Sequence, residues 1–402
     1  MIRRRSGSPR TAVLSASLLA LTAGCAPLPH AANVEPVARG RAYEAQYRDI
    51  PTSGEVAPVG SSHMLNLAQC KPYSEGSKAP GRLPSALASE TLSPDDLLSL
   101  RLHGDDTFTG DYVVSRDGTL KLPYLPSIPA RGRSTDAVRR DIVAALEKGG
   151  FYDAETPPRV SLLVKDFAPA SVAVSGAVFE PHVAEIGGVS SDQRDTLREN
   201  ALGASTRGRD LSVALRAAGG VRPDADLSDV TVIRGGHRYR LDLRGAITGR
   251  GFDDAMLATG DKVIVPSRGC FQEDLMQPSP ISPPGIRLFL SNLTAPATGN
   301  APSAIGREVR EVPYGTRFLQ AVVNANCVGG ARATSADRSA ALFTRNPITK
   351  VSAVIERKVE VMRSRADRDE FDPYLLPGDA IACYDSGATN LFEIGRLIGV
   401  FR

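Results

Sequence analysis

Histidines, cysteines, adjacent acid pairs and glycine pairs are the residues of this 402-residue chain with chemistry to offer. The five histidines (His30, His63, His103, His182 and His237) are scattered. None stands at the HExxH spacing that puts two imidazoles on one helix face, and none has triad-like spacing. They read as surface or turn residues. Asp105-Asp106 and Asp253-Asp254 supply the paired carboxylates that glycoside chemistry needs. Adjacent acids in a strand point to opposite faces, however, and in loops they are usually solvated. The glycine pairs lack the GxxxxGK[ST] pattern of a phosphate-cradling loop. No cysteine forms a CxxC pair or a Cys/His cluster, so a zinc site has little support. No catalytic site is identifiable, the chain does not read as an enzyme, and no metal or cofactor is implied.

Cys25 stands apart because of what precedes it. Arg3, Arg4, Arg5 and Arg10 make a positive start, and Val13 to Leu21 supply a short apolar run. Thr22, Ala23 and Gly24 are small. Together residues 1–24 read as a secretory signal, too short for a membrane span. The run Leu21-Thr22-Ala23-Gly24-Cys25 resembles the bacterial lipobox, with Thr22 where leucine is usual. That resemblance implies an acylated Cys25 as the first mature residue, and Ala26 in place of aspartate implies no retention at the inner membrane. Two or three acyl chains anchor stably where one is marginal. The signal also carries the chain's positive balance, since without its four arginines 48 basic and 45 acidic side chains become 44 and 45. No basic excess remains for a phosphate backbone, which argues against a nucleic-acid binder. Aromatics are 5% and Trp is absent, which weakens a sugar-stacking reading. Outside the cytoplasm, Cys70, Cys270, Cys327 and Cys383 allow two disulfides in any of three connectivities.

The elements that must position these residues follow from periodicity. Residues 25–90, rich in Pro, Gly, Ser and Ala, read as a lipidated N-terminus and tether with limited local structure. From Leu92 the pattern tightens, and residues 91–168 read as a compact α+β unit. Ser93-Pro94-Asp95-Asp96 is a turn and Leu97–Leu102 a strand. Strand-like runs on either side of Arg116-Asp117-Gly118 predict a hairpin. Ser134 caps a helix with Val138, Ile142, Ala145 and Leu146 on one face, ended by Gly149. Residues 169–268 then read strand, helix (capped by Asp210), hairpin about Gly235-Gly236, and a closing strand Gly260-Asp261-Lys262-Val263-Ile264-Val265. Residues 285–385 repeat that order, closing with Gly378-Asp379-Ala380-Ile381-Ala382-Cys383. Two copies of one small β-grasp module predict a repetitive architecture. Residues 386–402 read as an amphipathic helix with Leu391, Ile394, Leu397, Ile398 and Phe401 at helical spacing. From Thr389 on it would be about 21 Å long, short of a ~30 Å bilayer core.

Several stretches resemble known domains. Ser93-Pro94-Asp95-Asp96-Leu97, Asp111-Tyr112-Val113-Val114, Asp117-Gly118-Thr119-Leu120-Lys121-Leu122-Pro123 and Val160-Ser161-Leu162-Leu163-Val164 resemble the polysaccharide-export domain. Val174-Ser175-Gly176-Ala177-Val178, Leu215-Arg216-Ala217-Ala218-Gly219-Gly220 and the Gly260–Pro266 strand resemble an SLBB (soluble ligand-binding β-grasp) domain. With the lipobox, the order resembles the Wza-type outer-membrane polysaccharide export lipoproteins over about residues 14–402. The resemblance implies a homo-oligomeric ring around a periplasmic lumen that passes capsular or exopolysaccharide. It also implies an inner-membrane co-polymerase partner, often a tyrosine autokinase. In a β-grasp module the segment after the helix packs on the closing strand, which predicts Cys327–Cys383 and leaves Cys70–Cys270 as the other pair. This chain departs from the family in a polar insertion at 187–209, in a diverged second module with Asn326-Cys327-Val328, and in a short C-terminal segment. Leu391, Ile394, Ile398 and Phe401 are therefore expected to reach or partly enter the membrane without building a full-height barrel. The other readings are a periplasmic glycan- or ligand-binding β-grasp protein and a static envelope scaffold.

Overall fold

The computed structural model of the chain describes residues 42–50, 60–74, 83–88, 90–153, 155–187, 204, 207–292, 310–325 and 338–384. They form a mixed α+β protein divided into two compact units. One runs from Gln69 to Pro284, and the other combines residues up to Ala68 with those from Gly285 on.

The Gln69–Pro284 unit starts with a small domain. Strands β1 (Leu97–Leu102), β2 (Asp105–Val113), β3 (Thr119–Leu120), β4 (Ile128–Pro129) and β5 (Val160–Asp166) form a three-stranded sheet, ordered β2-β1-β5, and a two-stranded β3-β4 ribbon. Alternate leucines of β1 (Leu98, Leu100, Leu102) point inward, as a half-buried strand requires. The helix Thr135–Lys148 covers them with Val138, Ile142 and Leu146, spaced one turn apart and fully buried. Ser134 Oγ accepts the Ala137 amide at 3.3 Å and caps this helix. The hairpin expected about Asp117-Gly118 takes a different form. β2 folds back on β1 through His103-Gly104, and β3 pairs with β4, not with β2. The Gly118 carbonyl accepts the amides of Ala130 and Arg131, so the turn is committed to the β3-β4 ribbon.

Strands β6 (Ala170–Gly176), β7 (His182–Ile186), β8 (Val230–Arg234), β9 (His237–Leu241) and β10 (Lys262–Val265) complete the unit. They form a five-stranded sheet ordered β7-β6-β10-β8-β9, with β6 parallel to β10 and every other pair antiparallel. The helix Leu211–Ala217 buries Leu211, Ala214 and Leu215 against it.

In the other unit, β11 (Ile286–Asn292), β12 (Arg310–Val312), β13 (Ser339–Arg345), β14 (Ser352–Lys358) and β15 (Ala380–Tyr384) repeat the plan. Their order is β12-β11-β15-β13-β14, with β11 parallel to β15 and the helix Phe318–Asn324 between β12 and β13. The correspondence holds residue by residue. An isolated bridge joins Asp210 to Met256 in one sheet's domain and Arg317 to Tyr374 in the other. Leu257 N donates to Arg209 O, as Leu375 N does to Thr316 O. Asp261 and Asp379 each accept the amide three residues upstream, from Ala258 and Leu376.

The upstream stretch expected to be a tether is in part packed structure. Ala42 to Tyr47 are buried and Ser61–Ala68 is helical in the second unit. Leu87 belongs to the core under β6–β10. Small and polar composition misleads here because the buried side chains, among them Tyr43, Ala45, Tyr47 and Leu87, are scattered and form no periodic stripe.

Candidate functional site

Two buried polar junctions carry the specific geometry of the described residues. The first joins the small domain to the β6–β10 domain. Asp96, from the Ser93-Pro94-Asp95-Asp96 turn, is wholly buried. Its Oδ2 accepts Ser93 N at 2.7 Å, and its Oδ1 accepts Ala168 N at 3.0 Å and the Arg209 guanidinium at 2.6 Å. Arg209 Nε donates to Ala168 O at 2.9 Å, and its guanidinium lies 5.0 Å from the Phe167 ring centre. Burial pushes the Asp96 carboxyl up, against the pull of the Ser93 amide and the Arg209 charge. Arg209 needs room beside the strand end. A Cβ on Gly187, whose φ is +93°, would lie 2.7 Å from Arg209 Cγ, so no other residue fits there. The 187–209 insertion, read from sequence as a polar departure, thus ends in one of the most buried side chains of the protein.

Arg234 makes a second contact across the same unit. Its guanidinium holds Asp261 through three bonds of 2.6–3.1 Å, and donates to Ala86 O at 2.8 Å and Met256 O at 2.6 Å. Asp253 and Asp254 do not form a catalytic pair. Asp253 is buried, while Asp254 accepts Ser212 N at 2.9 Å and Ser212 Oγ at 2.7 Å, capping the Leu211–Ala217 helix. Asp210, expected to cap this helix, makes no side-chain capping bond to it. Asp372 does the same work in the second unit, accepting Leu319 N at 2.8 Å, and burial pushes its carboxyl up to about 6.

The other junction clamps the upstream segment onto β13 and β14. Arg357 is buried and donates to the carbonyls of Gln46, Tyr47 and Arg48 at 2.9–3.3 Å and to Asp49 Oδ1 at 2.6 Å. Its guanidinium lies 4.2 Å from the Phe371 ring centre. Desolvation lowers it to about 10. Glu370 receives Gly60 N, Ser61 Oγ and Ser62 N at 2.5–2.8 Å, holding the start of the Ser61–Ala68 helix. Tyr47 OH meets Thr344 Oγ1 at 3.3 Å, and Thr344 in turn bonds Asp379. Asp379 is buried and has no cation beside it among its named partners. Burial pushes its carboxyl up to about 7.

Cys70 and Cys270 form a disulfide across 200 residues of sequence. Beside it Lys71 N donates to Arg268 O and Arg268 Nε donates to Lys71 O, each at 3.0 Å, and the Arg268 guanidinium lies 3.7 Å from the Tyr73 ring centre. Cys383 is also disulfide-bonded. Cys327, Cys25 and the helix residues Leu391, Ile394, Ile398 and Phe401 lie outside the described residues. The four described histidines, His63, His103, His182 and His237, are not brought together, and among the described residues no cluster of His, Cys, Asp or Glu has the makings of a metal site. No described helix is long and apolar enough to cross a membrane. Sequence reasoning missed Arg209, Arg234, Arg357 and Glu370. An isolated arginine or glutamate in a polar run carries no mark of burial, and only the Gly-Arg pairing at Gly208-Arg209 hinted at close packing.

Among the described residues, these buried charges hold one segment against another. That arrangement accords with the comparisons to known proteins. Residues 85–165 match the family of polysaccharide biosynthesis/export proteins, over the small domain that supplies Asp96. The chain is 26% identical over 329 residues to the EPS I polysaccharide export outer membrane protein EpsA of Ralstonia nicotianae, covering 73% of this chain and 77% of that one. A protein of the same name from Ralstonia solanacearum is 29% identical over 198 residues, 48% of this chain and 46% of that one.

Proposed function

We propose that this protein is an outer-membrane polysaccharide export protein. Its mature form is a lipoprotein anchored through Cys25, standing mostly in the periplasm as an oligomeric ring that conducts capsular or exopolysaccharide. One observation carries the reading: the export-family match at 85–165 sits inside a chain that aligns with most of the length of a polysaccharide export outer membrane protein. The relatives are export proteins and not enzymes, and the buried charges here are spent on packing. The repeated strand order, with the first strand parallel to the last and a single helix after the second, supports two SLBB-type β-grasp modules. An inner-membrane co-polymerase with tyrosine autokinase activity is the partner that would deliver the polymer. The 386–402 segment, amphipathic if helical, would reach the inner surface of the outer membrane or embed partly in it.

A clean deletion tests the function. Surface polysaccharide should disappear while cytoplasmic sugar precursors still form, and normal surface polymer would overturn the reading. Cys25→Ser should remove the acyl mass and shift the protein out of the outer-membrane fraction. Imaging of the detergent-extracted protein should show rings, and monomers alone would defeat the conduit.

A further inference from the structure

An aromatic shelf on the small domain has no role in the packing described above. Tyr124 lies in the turn after β3 and is 81% exposed. Its φ of +61° belongs to the left-handed region, which a bulky side chain adopts only when the surrounding turn imposes it. The ring is held out, 6.5 Å from that of Phe151 and tilted 36° to it. Phe151 is half-exposed and built in from below. Its amide bonds Leu146 O at 3.1 Å, closing the end of the Thr135–Lys148 helix. Its ring lies over Gly149, where a Cβ would come within 3.0 Å of it. The buried Phe108 ring supports it edge-on at 5.1 Å. Next in sequence, Tyr152 donates its hydroxyl to Asp105 Oδ2 at 2.6 Å, while Asp105 Oδ1 accepts the Thr107 amide at 2.7 Å. Those bonds, the Tyr152 hydroxyl first, keep the Asp105 carboxyl below the usual range, hence ionised and oriented.

We infer that Tyr124 and Phe151, with the carboxylate of Asp105, form a contact site for the pyranose rings of a polysaccharide. Sugar rings have an apolar C–H face that stacks on an aromatic face and a rim of hydroxyls that donates to a carboxylate. A Tyr–Phe shelf, with an oriented carboxylate bonded to Tyr152 next in sequence to Phe151, offers both features. The low aromatic content of the chain does not weaken this, because the fold gathers Phe108, Tyr124, Phe151 and Tyr152 from three separate segments. The inference rests on the export reading for its biological sense, but its test does not.

The full-length protein, in a detergent without a sugar headgroup, is mixed with cellohexaose, and magnetisation transfer from aromatic protons to the sugar is recorded. Ring protons of the sugar should saturate with the natural protein and with Tyr124→Phe. Tyr124→Asn, which suits the left-handed backbone and leaves the core untouched, should lose that transfer with an unchanged melting midpoint. No transfer in the natural protein, or undiminished transfer in Tyr124→Asn, would overturn the site. So would a change of oligomeric mass in Tyr124→Asn without any sugar signal, which would assign the shelf to contact with a second copy. The export reading is scored separately, by surface polymer in the deletion strain.

Discussion

The β6–β10 and β11–β15 sheets share a strand order and a register, yet they treat corresponding positions in opposite ways. Asp261 and Asp379 both follow a glycine and cap the loop before the closing strand. Opposite Asp261 the end of β8 supplies Arg234, whereas the matching place on β13 holds Thr344. Leu241, buried in the core of the first, corresponds to Arg357 in the second. One row of the outer face runs Ala173, Lys262, Ile233, Arg238 across β6, β10, β8 and β9. Its counterpart runs Phe289, Ala380, Phe343, Val354 across β11, β15, β13 and β14. The backbone plan thus tolerates a cation or an apolar side chain at the same register position. What each sheet is joined to decides which is used. The first binds its neighbours with arginine–carboxylate pairs. Among the described residues, the second pairs Asp379 with the Leu376 amide and the Thr344 hydroxyl and sets its buried Arg357 on the backbone of residues 46–48.

The consequence is a difference in pH response. Asp379 and Asp372 have folded-state pKa values of about 7 and about 6, above the ordinary 3.8. The folded state therefore holds protons that the unfolded chain releases. The stability that Asp379 and Asp372 contribute to the second unit is fullest below about pH 4 and is lost as pH rises through 6 to 7. Glu370, whose carboxyl, despite burial, is held low by the bonds from Ser62, Ser61 and Gly60, works in the opposite direction.

The comparison can be broken most forcefully at the first junction. Arg209→Ala strands the buried Asp96 charge and should cost about 3–5 kcal/mol in denaturant unfolding of the Gln69–Pro284 unit. Asp96→Asn in the same background should recover much of that loss, since the stranded charge is gone. Asp379→Asn should flatten the pH dependence of the second unit. At pH 8 it should be more stable than the natural protein, by up to ~4 kcal/mol for a shift of about three pKa units, with little change at pH 4. Thermal melts at the two pH values decide this, and a parallel shift at both would count against it. Loss of the Cys70–Cys270 cross-link through Cys70→Ala should cost about 2–4 kcal/mol, read as a lower midpoint that reductant no longer changes at that bond. Arg357→Leu, which copies Leu241, should have the smallest global effect, about 1–3 kcal/mol from unpaired carbonyls. Its signature is local, with faster amide exchange and proteolysis confined to residues 42–50.

Legibility tracked locality. The helix Thr135–Lys148 could be read from Ser134, three apolar residues at helical spacing and Gly149, because each signal acts within a turn or two. The repeat could be read from Gly-Asp closing strands and glycine pairs, because turns fix their own residues. The hairpin about Asp117-Gly118 was misread because pairing partners are chosen by the sheet, and β1 offers β2 a longer ladder. The tether was misread because Ala42 to Tyr47 are held by buried side chains without a helical or strand period and by Arg357 on the carbonyls of residues 46–48, and neither leaves a local pattern.

By itself, then, the sequence determined many of the strands and helices from Leu97 on, that one order of elements recurs, and which turns are glycine-bound. Periodicity and backbone sterics operate over a few residues, and those are written in order along the chain. Only the tertiary structure decided that Asp96 meets Arg209 across 113 residues, that Arg357 grips residues 46–48, and that Tyr124 stands beside Phe151. Burial of a charge or exposure of a ring depends on what packs against it, and that is set by chain closure in three dimensions.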